Sequence, residues 1–222
     1  MGSIYKPFLK ALQEHDKERA MSICLDSLEN KTIDLITLYE SILTRALNAI
    51  IEEFEEEEML IWQEHVRSSI ILSIIENCYS YILEESRLQG LKKKERVIVL
   101  CPQYEEHLIG ARMVQDIFTL SGYDSTFIGA NTPWRTILKA IEVIKPEIIS
   151  ISVTNFYNTI EAKRTIEMIK EFAGYEIKFV LGGYAFSKEK DLYKEVGGDL
   201  HIQYLGDIFA VEELLKEEVK VQ

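Results

Sequence analysis

The pattern of hydrophobic and polar residues divides the chain into two parts. From Ser3 to Gln89, leucine and isoleucine recur at steps of three and four residues, a spacing that places them on one face of a helix. It predicts four amphipathic helices, at about 3–14, 16–29, 32–56 and 59–89. Asp16 and Thr32 are the predicted N-caps, because a short polar side chain can accept a hydrogen bond from the first turn. Short connections between such helices indicate a four-helix bundle.

After Glu95 the pattern changes to apolar strands that alternate with helices. The predicted strands are 96–101, 125–128, 147–152, 177–181 and 200–204, and the predicted helices are 106–121, 133–144, 157–173, 187–195 and 207–218. This alternation is typical of a doubly wound α/β domain, Rossmann-like or flavodoxin-like, in which ligands bind beyond the carboxyl ends of parallel strands. Gly90 and the lysines after it indicate a linker, so we expect a bundle of residues 1–90 and an α/β domain of residues 91–222.

Three groups of polar or small residues follow predicted strands. The first is Glu105-x-His107-x-x-Gly110, after the first strand. A neutral imidazole is a good ligand for a transition metal, and its second nitrogen needs a partner that fixes the tautomer. Glu105 is the expected partner of His107. Gly110 has no side chain, which permits a bulky ligand to approach the backbone where the helix begins.

The second and third groups are Ser152-x-Thr154 and Gly182-Gly183, each at the end of a later strand. Ser152 and Thr154 lie on one face by the period of two, and their hydroxyls can point into a crevice. The glycine pair is expected to leave an open slot. Each group alone is typical of ordinary turn chemistry. The joint occurrence at one edge of the predicted sheet is what indicates a binding site.

The spacing of the three groups, 41 residues between Gly110 and Ser152 and 27 between Thr154 and Gly182, resembles a known signature. It is the Asp-x-His-x-x-Gly, Ser-x-Leu, Gly-Gly pattern of base-off, His-on cobalamin-binding domains, with Glu105 for the aspartate and Thr154 for the leucine. The resemblance implies a cobalamin cofactor, either adenosylcobalamin or methylcobalamin, with His107 as the lower ligand of cobalt and the glycine slot holding the nucleotide tail. The implied cofactor-binding residues of this domain are Glu105, Glu106, Gly110, Asn131, Thr132, Ser152, Thr154, Gly182, Gly183 and Tyr184.

The bundle carries a second resemblance, at Glu64-His65. This pair is similar to the end of the Trp-x9-Glu-His motif in the cap of light-sensing, adenosylcobalamin-dependent transcriptional regulators, and the loop 129–133 resembles their Gly-Ala-Asp-Thr-Pro loop. The match is partial, because Phe54 stands where those regulators have tryptophan, and their DNA-binding domain has no counterpart. The resemblance implies that Glu64 and His65, with Phe54 or Trp62, cover the upper face of the corrinoid.

Composition and charge argue against several classes of function and location. The formal net charge of −12 opposes a nucleic-acid backbone, so direct binding to nucleic acid is not expected. No apolar run is long enough to span a membrane, and the N-terminus lacks a signal-peptide pattern. Cys24, Cys78 and Cys101 are odd in number and far apart, which disfavours a disulfide framework. We therefore expect a cytoplasmic protein.

The resemblance implies two alternative functions, and a third interpretation does not depend on it. The first is a cobalamin-binding sensor or regulatory protein, responsive to light or to its upper ligand, and the Glu64-His65 pair favours it. The alternative is a corrinoid shuttle protein that serves a methyltransferase. The third is an α/β protein with no corrinoid. No substrate pocket for isomerase chemistry is evident, so the chain itself is not expected to be an enzyme. Its expected partners are a corrinoid and a regulator or methyltransferase, with self-association left open.

Overall fold

The computed structural model describes residues 4–55, 60–90, 94–187, 189 and 191–221, without the side chains of 54, 55 and 218–221. Contacts divide the chain into two compact units, residues 1–84 and 85–222. Within the described residues, no helix is long and apolar enough to cross a membrane. Cys24, Cys78 and Cys101 are buried thiols, and none of them forms a disulfide within the described residues.

The first unit is helical. Its helices are α1 (Tyr5–Gln13), α2 (Lys17–Glu29), α3 (Leu35–Thr37), α4 (Arg45–Glu55) and α5 (Ile61–Gln89), the last of which extends into the second unit. A π-helical run, Leu38–Thr44, joins α3 to α4, so the helix predicted at 32–56 is not regular throughout. Apolar side chains at three- and four-residue steps, such as Ile70, Ile71, Ile74 and Ile75 of α5, form the core.

One of the two predicted N-caps is confirmed. The side chain of Asp16 accepts a hydrogen bond of 3.0 Å from the backbone N–H of Arg19. The prediction for Thr32 was wrong, because its hydroxyl donates instead to the carbonyl of Ser27. Asp34 caps α3 by accepting from the N–H of Thr37 at 2.7 Å. The carboxylate two residues further on therefore takes the capping role.

The second unit is an α/β domain. Its strands are β1 (Arg96–Leu100), β2 (Asp124–Phe127), β3 (Ile148–Ser152), β4 (Lys178–Gly182) and β5 (Leu200–Ile202), and its helices are α6 (Ile109–Leu120), α7 (Trp134–Ile144), α8 (Thr159–Phe172), α9 (Leu192–Val196) and α10 (Val211–Val221). Short 3₁₀ helices lie at Phe156–Asn158, Tyr184–Phe186 and Leu205–Ala210. The helix predicted at 187–195 begins late, at Leu192. The one predicted from 106 begins at Ile109, because residues 101–108 form a loop.

The sheet order fixes where a ligand can bind. The described strands pair in parallel in the order β2-β1-β3-β4-β5. The chain moves outward from β1 to β2 and then returns to β3 on the other side of β1, so the order reverses between β1 and β3. Loops after neighbouring strands separate at such a reversal and leave a crevice at the carboxyl edge. The loops after β1 and β3 carry the predicted site residues.

Candidate functional site

Glu105 is the centre of the site. Its side chain is fully buried in the loop after β1, and N–H groups from two loops donate to it. Oε1 accepts from the backbone N–H of His107 at 3.1 Å and lies 2.5 Å from the ring Nδ1 of His107. Oε2 accepts from the backbone N–H groups of Thr154 and Asn155, at 3.0 and 2.9 Å, and from Nδ2 of Asn158 at 3.1 Å. The carboxylate thus joins the loops on both sides of the crevice.

The same contacts determine the charge of Glu105. Burial raises the pKa of this carboxyl, but hydrogen bonds from His107, Asn155 and Asn158 outweigh burial, and the net pKa lies below its ordinary value. An ionised carboxylate only accepts hydrogen bonds, so Nδ1 of His107 must carry a proton. In the neutral imidazole, Nε2 is then the nitrogen with the lone pair. The pair therefore fixes the tautomer that ligates metal through Nε2.

His107 is accessible as well as oriented. More than half of its side-chain surface, 56%, is exposed, whereas its partner Glu105 is completely buried. Among the described residues, no group of three or more His, Cys, Asp or Glu side chains is placed to hold a metal ion. A metal that arrives with its own equatorial ligands needs only one axial ligand from the protein. An exposed imidazole that is held by a buried carboxylate can serve as that single ligand.

Cys101 is a buried thiol beside this pair. Its Sγ lies 3.6 Å from the carbonyl oxygen of His107, within range of a weak S–H hydrogen bond. Burial, with a smaller contribution from the charge of Glu105, raises the pKa of this thiol to about 12. A protonated thiol is a poor metal ligand. Cys101 therefore supports the loop and does not compete with His107.

Glu106, Asn131 and Thr132 lie in or against the loop after β1. Asn131 adopts a left-handed backbone conformation, with φ of 49°, and its side-chain Oδ1 accepts from the N–H of Tyr104 at 2.8 Å. Its Nδ2 lies 3.4 Å from Oε1 of the exposed Glu106. Thr132 is buried, and its N–H donates to the carbonyl of Cys101. These three predicted residues are brought to the site, where Asn131 and Thr132 brace the loop that carries Glu105.

Gly110 and Ser152 meet across the crevice. A Cβ atom added at Gly110 would lie 3.7 Å from Oγ of the buried Ser152, an ordinary contact distance. Thr154 is also present at the site, where its backbone N–H donates to Glu105. The predicted role of the Thr154 hydroxyl stays a prediction.

Backbone geometry restricts which residues can occupy positions 182 and 183. Gly183 has φ of 102°, and a Cβ atom there would lie 2.4 Å from the carbonyl oxygen of Val153. A side chain at position 183 would therefore collide with the backbone of Val153, and the open slot for the nucleotide tail stays a prediction. Gly182, which pairs with Ser152, is less restricted, since its Cβ would lie 3.3 Å from the carbonyl oxygen of Ile202. Tyr184 follows directly and starts a 3₁₀ turn.

The predicted cap residues lie in the first unit, and the side chain of Phe54 is outside the described residues. Oε1 of Glu64 accepts from the hydroxyl of Ser68 at 2.6 Å, and its Oε2 lies 3.5 Å from Nε2 of the exposed His65. Trp62 is about half exposed, and its ring centroid lies 5.2 Å from that of His15. The structure brings Trp62, Glu64 and His65 together at the start of α5.

Sequence reasoning missed two asparagines and three exposed aromatic residues. Asn155 and Asn158 contact Glu105, although asparagine after a strand ordinarily indicates only a turn. Tyr104, Phe156 and Tyr157 are exposed on the same loops. Their position after β1 and β3 was the one signal that could have found them.

A separate cavity of about 240 Å³ lies at the start of β4, at the opposite edge of the sheet, and has no connection to His107.

Comparison with known proteins agrees with this geometry. Two family models, each described as a B12 binding domain, match residues 95–210 and residues 4–79. Trimethylamine corrinoid protein 1 of Methanosarcina acetivorans is 22% identical over 200 residues, which cover 89% of this chain and 90% of that protein. The trimethylamine corrinoid protein of Methanosarcina barkeri is 21% identical over 203 residues, 90% of this chain and 91% of that protein.

Solved structures show the same fold. The monomethylamine corrinoid protein of Methanosarcina barkeri superimposes with a TM-score of 0.81 at 14% identity, over 94% of this chain and 96% of that one. A methanol:cobalamin methyltransferase complex from the same organism gives a TM-score of 0.52 at 18% identity, over 98% and 83%. The names of these corrinoid proteins accord with the expectation that the chain is not itself an enzyme. With more than half of its length matched by one family model, the chain belongs to the B12-binding domain family, and its cofactor is cobalamin.

Proposed function

We propose that this protein is a corrinoid carrier, which holds cobalamin through His107 and passes a methyl group to or from a methyltransferase. The observation that carries this proposal is the pairing of an exposed imidazole with a fully buried, ionised carboxylate on hydrogen-bonded loops. Support also comes from the relatives named as trimethylamine corrinoid proteins, which align over about nine-tenths of their own length.

The residues of the site would have different roles in holding the cofactor. Nε2 of His107 would ligate cobalt from below, while Glu105 holds the proton on Nδ1 and raises the basicity of the ring. Asn158 and the backbone amides after β3 keep Glu105 charged and in place. When cobalamin is bound, its cobalt would carry the methyl group. The chain itself contributes binding, orientation and the proton at Nδ1.

The sensor interpretation rests on the bundle residues Glu64 and His65. Both have contacts along their own helix, and most of the His65 side chain, 72%, is exposed. These contacts are those of a solvated helix start. Because the curated relatives are named as corrinoid proteins for trimethylamine, we favour the carrier over a light-responsive sensor.

The proposal can be tested by methyl transfer. The full chain is loaded with hydroxocobalamin, reduced with titanium(III) citrate and incubated with a methylamine:corrinoid methyltransferase and a radiolabelled methyl donor. The donors are mono-, di- and trimethylamine, and methanol is tested with its own methyltransferase. We expect label on the protein-bound corrinoid with at least one donor, and strongly reduced labelling in His107→Ala. No labelling with any donor, together with a change of hydrodynamic size under green light, would contradict the carrier and favour the sensor.

A further inference from the structure

Three aromatic side chains surround the metal-ligand loop and are mostly exposed. Tyr104 precedes Glu105 in the loop after β1, and Phe156 and Tyr157 follow β3. They are 65%, 53% and 79% exposed. Large apolar side chains exposed next to one another commonly mark a binding surface. We call these three residues the aromatic rim.

The network that fixes Glu105 also holds the turn that carries Phe156 and Tyr157. The residues on either side of them, Asn155 and Asn158, both donate to Oε2 of Glu105. Within this turn, Oδ1 of Asn155 accepts from the N–H of Tyr157 at 3.0 Å, and the carbonyl of Phe156 accepts from the hydroxyl of Thr159 at 2.7 Å. The two rings stand nearly edge to face, with centroids 6.4 Å apart. Hydrogen bonds therefore hold the backbone of the turn from which both rings extend.

Tyr104 is also held by hydrogen bonds, and under strain. Its φ of 69° is the left-handed conformation, which an aromatic residue rarely adopts. Its N–H donates to Oδ1 of Asn131, and its carbonyl accepts from Nδ2 of Asn158 at 3.2 Å. An asparagine or glycine would satisfy this backbone with less strain. A strained aromatic residue whose side chain stays mostly exposed points to a role in binding.

We propose that the aromatic rim contacts the corrin macrocycle directly and determines how tightly the corrinoid ring is held, independently of its nucleotide tail. The inference rests on the proposed role of His107. A flat macrocycle whose central metal is bound by His107 must extend over the residues beside that histidine. Aromatic rings offer such a ligand large, rigid contact surfaces, and the tyrosine hydroxyls can bond to its peripheral amides. The rim lies on both sides of the crevice between β1 and β3.

The first test is equilibrium binding of two probes to the full chain. Aquocobinamide has the macrocycle without the nucleotide tail, and hydroxocobalamin has both. The variant is the double change Phe156→Ser with Tyr157→Ser, and the matched control is Phe172→Ser with Tyr175→Ser, at the other end of α8. The control side chains are also partly exposed, 42% and 43%. Visible absorption reports both the affinity and whether a histidine ligand is bound.

We expect the rim variant to bind both probes more weakly, by about tenfold for each aromatic ring removed, with histidine ligation retained at saturation. The control should bind like the unmodified chain. Equal affinity in variant and control overturns the proposal, and so does weaker binding of hydroxocobalamin with aquocobinamide unaffected. Unchanged affinity with slower methyl transfer also overturns it, and assigns the rim to partner docking instead.

A second variant separates binding from folding. Tyr104→Asn supplies a residue that accepts the left-handed backbone, so the fold should be at least as stable as before. We expect weaker binding of aquocobinamide with no fall in the midpoint of urea unfolding. If Tyr104→Asn binds aquocobinamide as tightly as the unmodified chain, Tyr104 is not part of the site. These measurements need no partner enzyme, so a failure of methyl transfer would leave them interpretable.

Discussion

Replacing Glu105 by glutamine changes one atom at the point where five N–H donors converge. An amide has one acceptor oxygen and one donor NH₂ group, so one of the two positions must present hydrogens to existing donors. If NH₂ replaced Oε2, it would face Thr154, Asn155 and Asn158. The cheaper arrangement puts NH₂ at Oε1, where it faces only the two donors of His107. We therefore expect the amide to turn its nitrogen toward His107.

This orientation has two measurable consequences. The imidazole must accept through Nδ1, which moves its proton to Nε2 and blocks the nitrogen that would ligate cobalt. A change in the partner of a metal-ligating histidine typically lowers metal affinity about ten- to a hundredfold. The loss of charge-assisted hydrogen bonds, including the acceptor of the backbone N–H of His107, should lower the unfolding free energy by about 2 to 4 kcal/mol.

The assay combines binding, tautomer and stability. Titration with aquocobinamide measures affinity, long-range ¹H–¹⁵N NMR assigns the protonated nitrogen of His107, and urea unfolding measures stability. Glu142→Gln is the matched control, because Glu142 is exposed near the end of α7 and is not one of the predicted site residues. If Glu105→Gln binds as tightly as the control and His107 keeps its proton on Nδ1, the reasoning about the pair is refuted.

Three further predictions concern single residues. His107→Ala should remain folded by circular dichroism but bind hydroxocobalamin without a protein nitrogen ligand, and an unchanged bound spectrum would exclude His107 as the ligand. Asn158→Ala removes one of three donors to Oε2, so we expect a loss of about 1 to 3 kcal/mol in urea unfolding and a smaller loss of affinity than in Glu105→Gln; equal losses would contradict the assigned order. Gly183→Ala should lower the thermal midpoint far more than Gly182→Ala, with or without cofactor, because its Cβ would lie 2.4 Å from a backbone oxygen; similar midpoints would show that the backbone of Val153 yields easily.

The central strands of the second unit could be predicted from sequence because β1, β3 and β4 are mostly apolar runs. Parallel strands buried on both faces have this composition, and each observed strand lies within two residues of its prediction. Helix starts were less predictable. Residues 106–108 were predicted to be helical, but they lie in the loop after β1, which is held by hydrogen bonds from Tyr104 to Asn131 and from Thr154 to Glu105. Contacts between residues distant in sequence decided that boundary.

The candidate site was predictable only in its motif residues. The placement of Glu105, His107 and Gly110 after a strand was enough to propose a metal ligand with a carboxylate partner. Asn155 and Asn158 were not found, because their contact with Glu105 joins segments about fifty residues apart. The sequence did not reveal that Gly183 is required by its positive φ and by the nearness of the Val153 backbone, whether or not a ligand binds there. The motif identifies the positions of the site residues. The structure is needed to separate residues that can contact a ligand from residues that the backbone conformation requires.

The ligation of cobalt by His107 can be tested most directly by electron paramagnetic resonance. The protein is loaded with cobalamin, reduced to the cobalt(II) state, and compared with the same protein in which histidine alone is labelled with ¹⁵N. Ligation by one histidine nitrogen predicts that each cobalt line is split into three with ¹⁴N and into two with ¹⁵N, and that this effect is lost in His107→Ala. A three-line pattern that persists with ¹⁵N-histidine would show that the nucleotide base of cobalamin remains the lower ligand, and it would contradict the account.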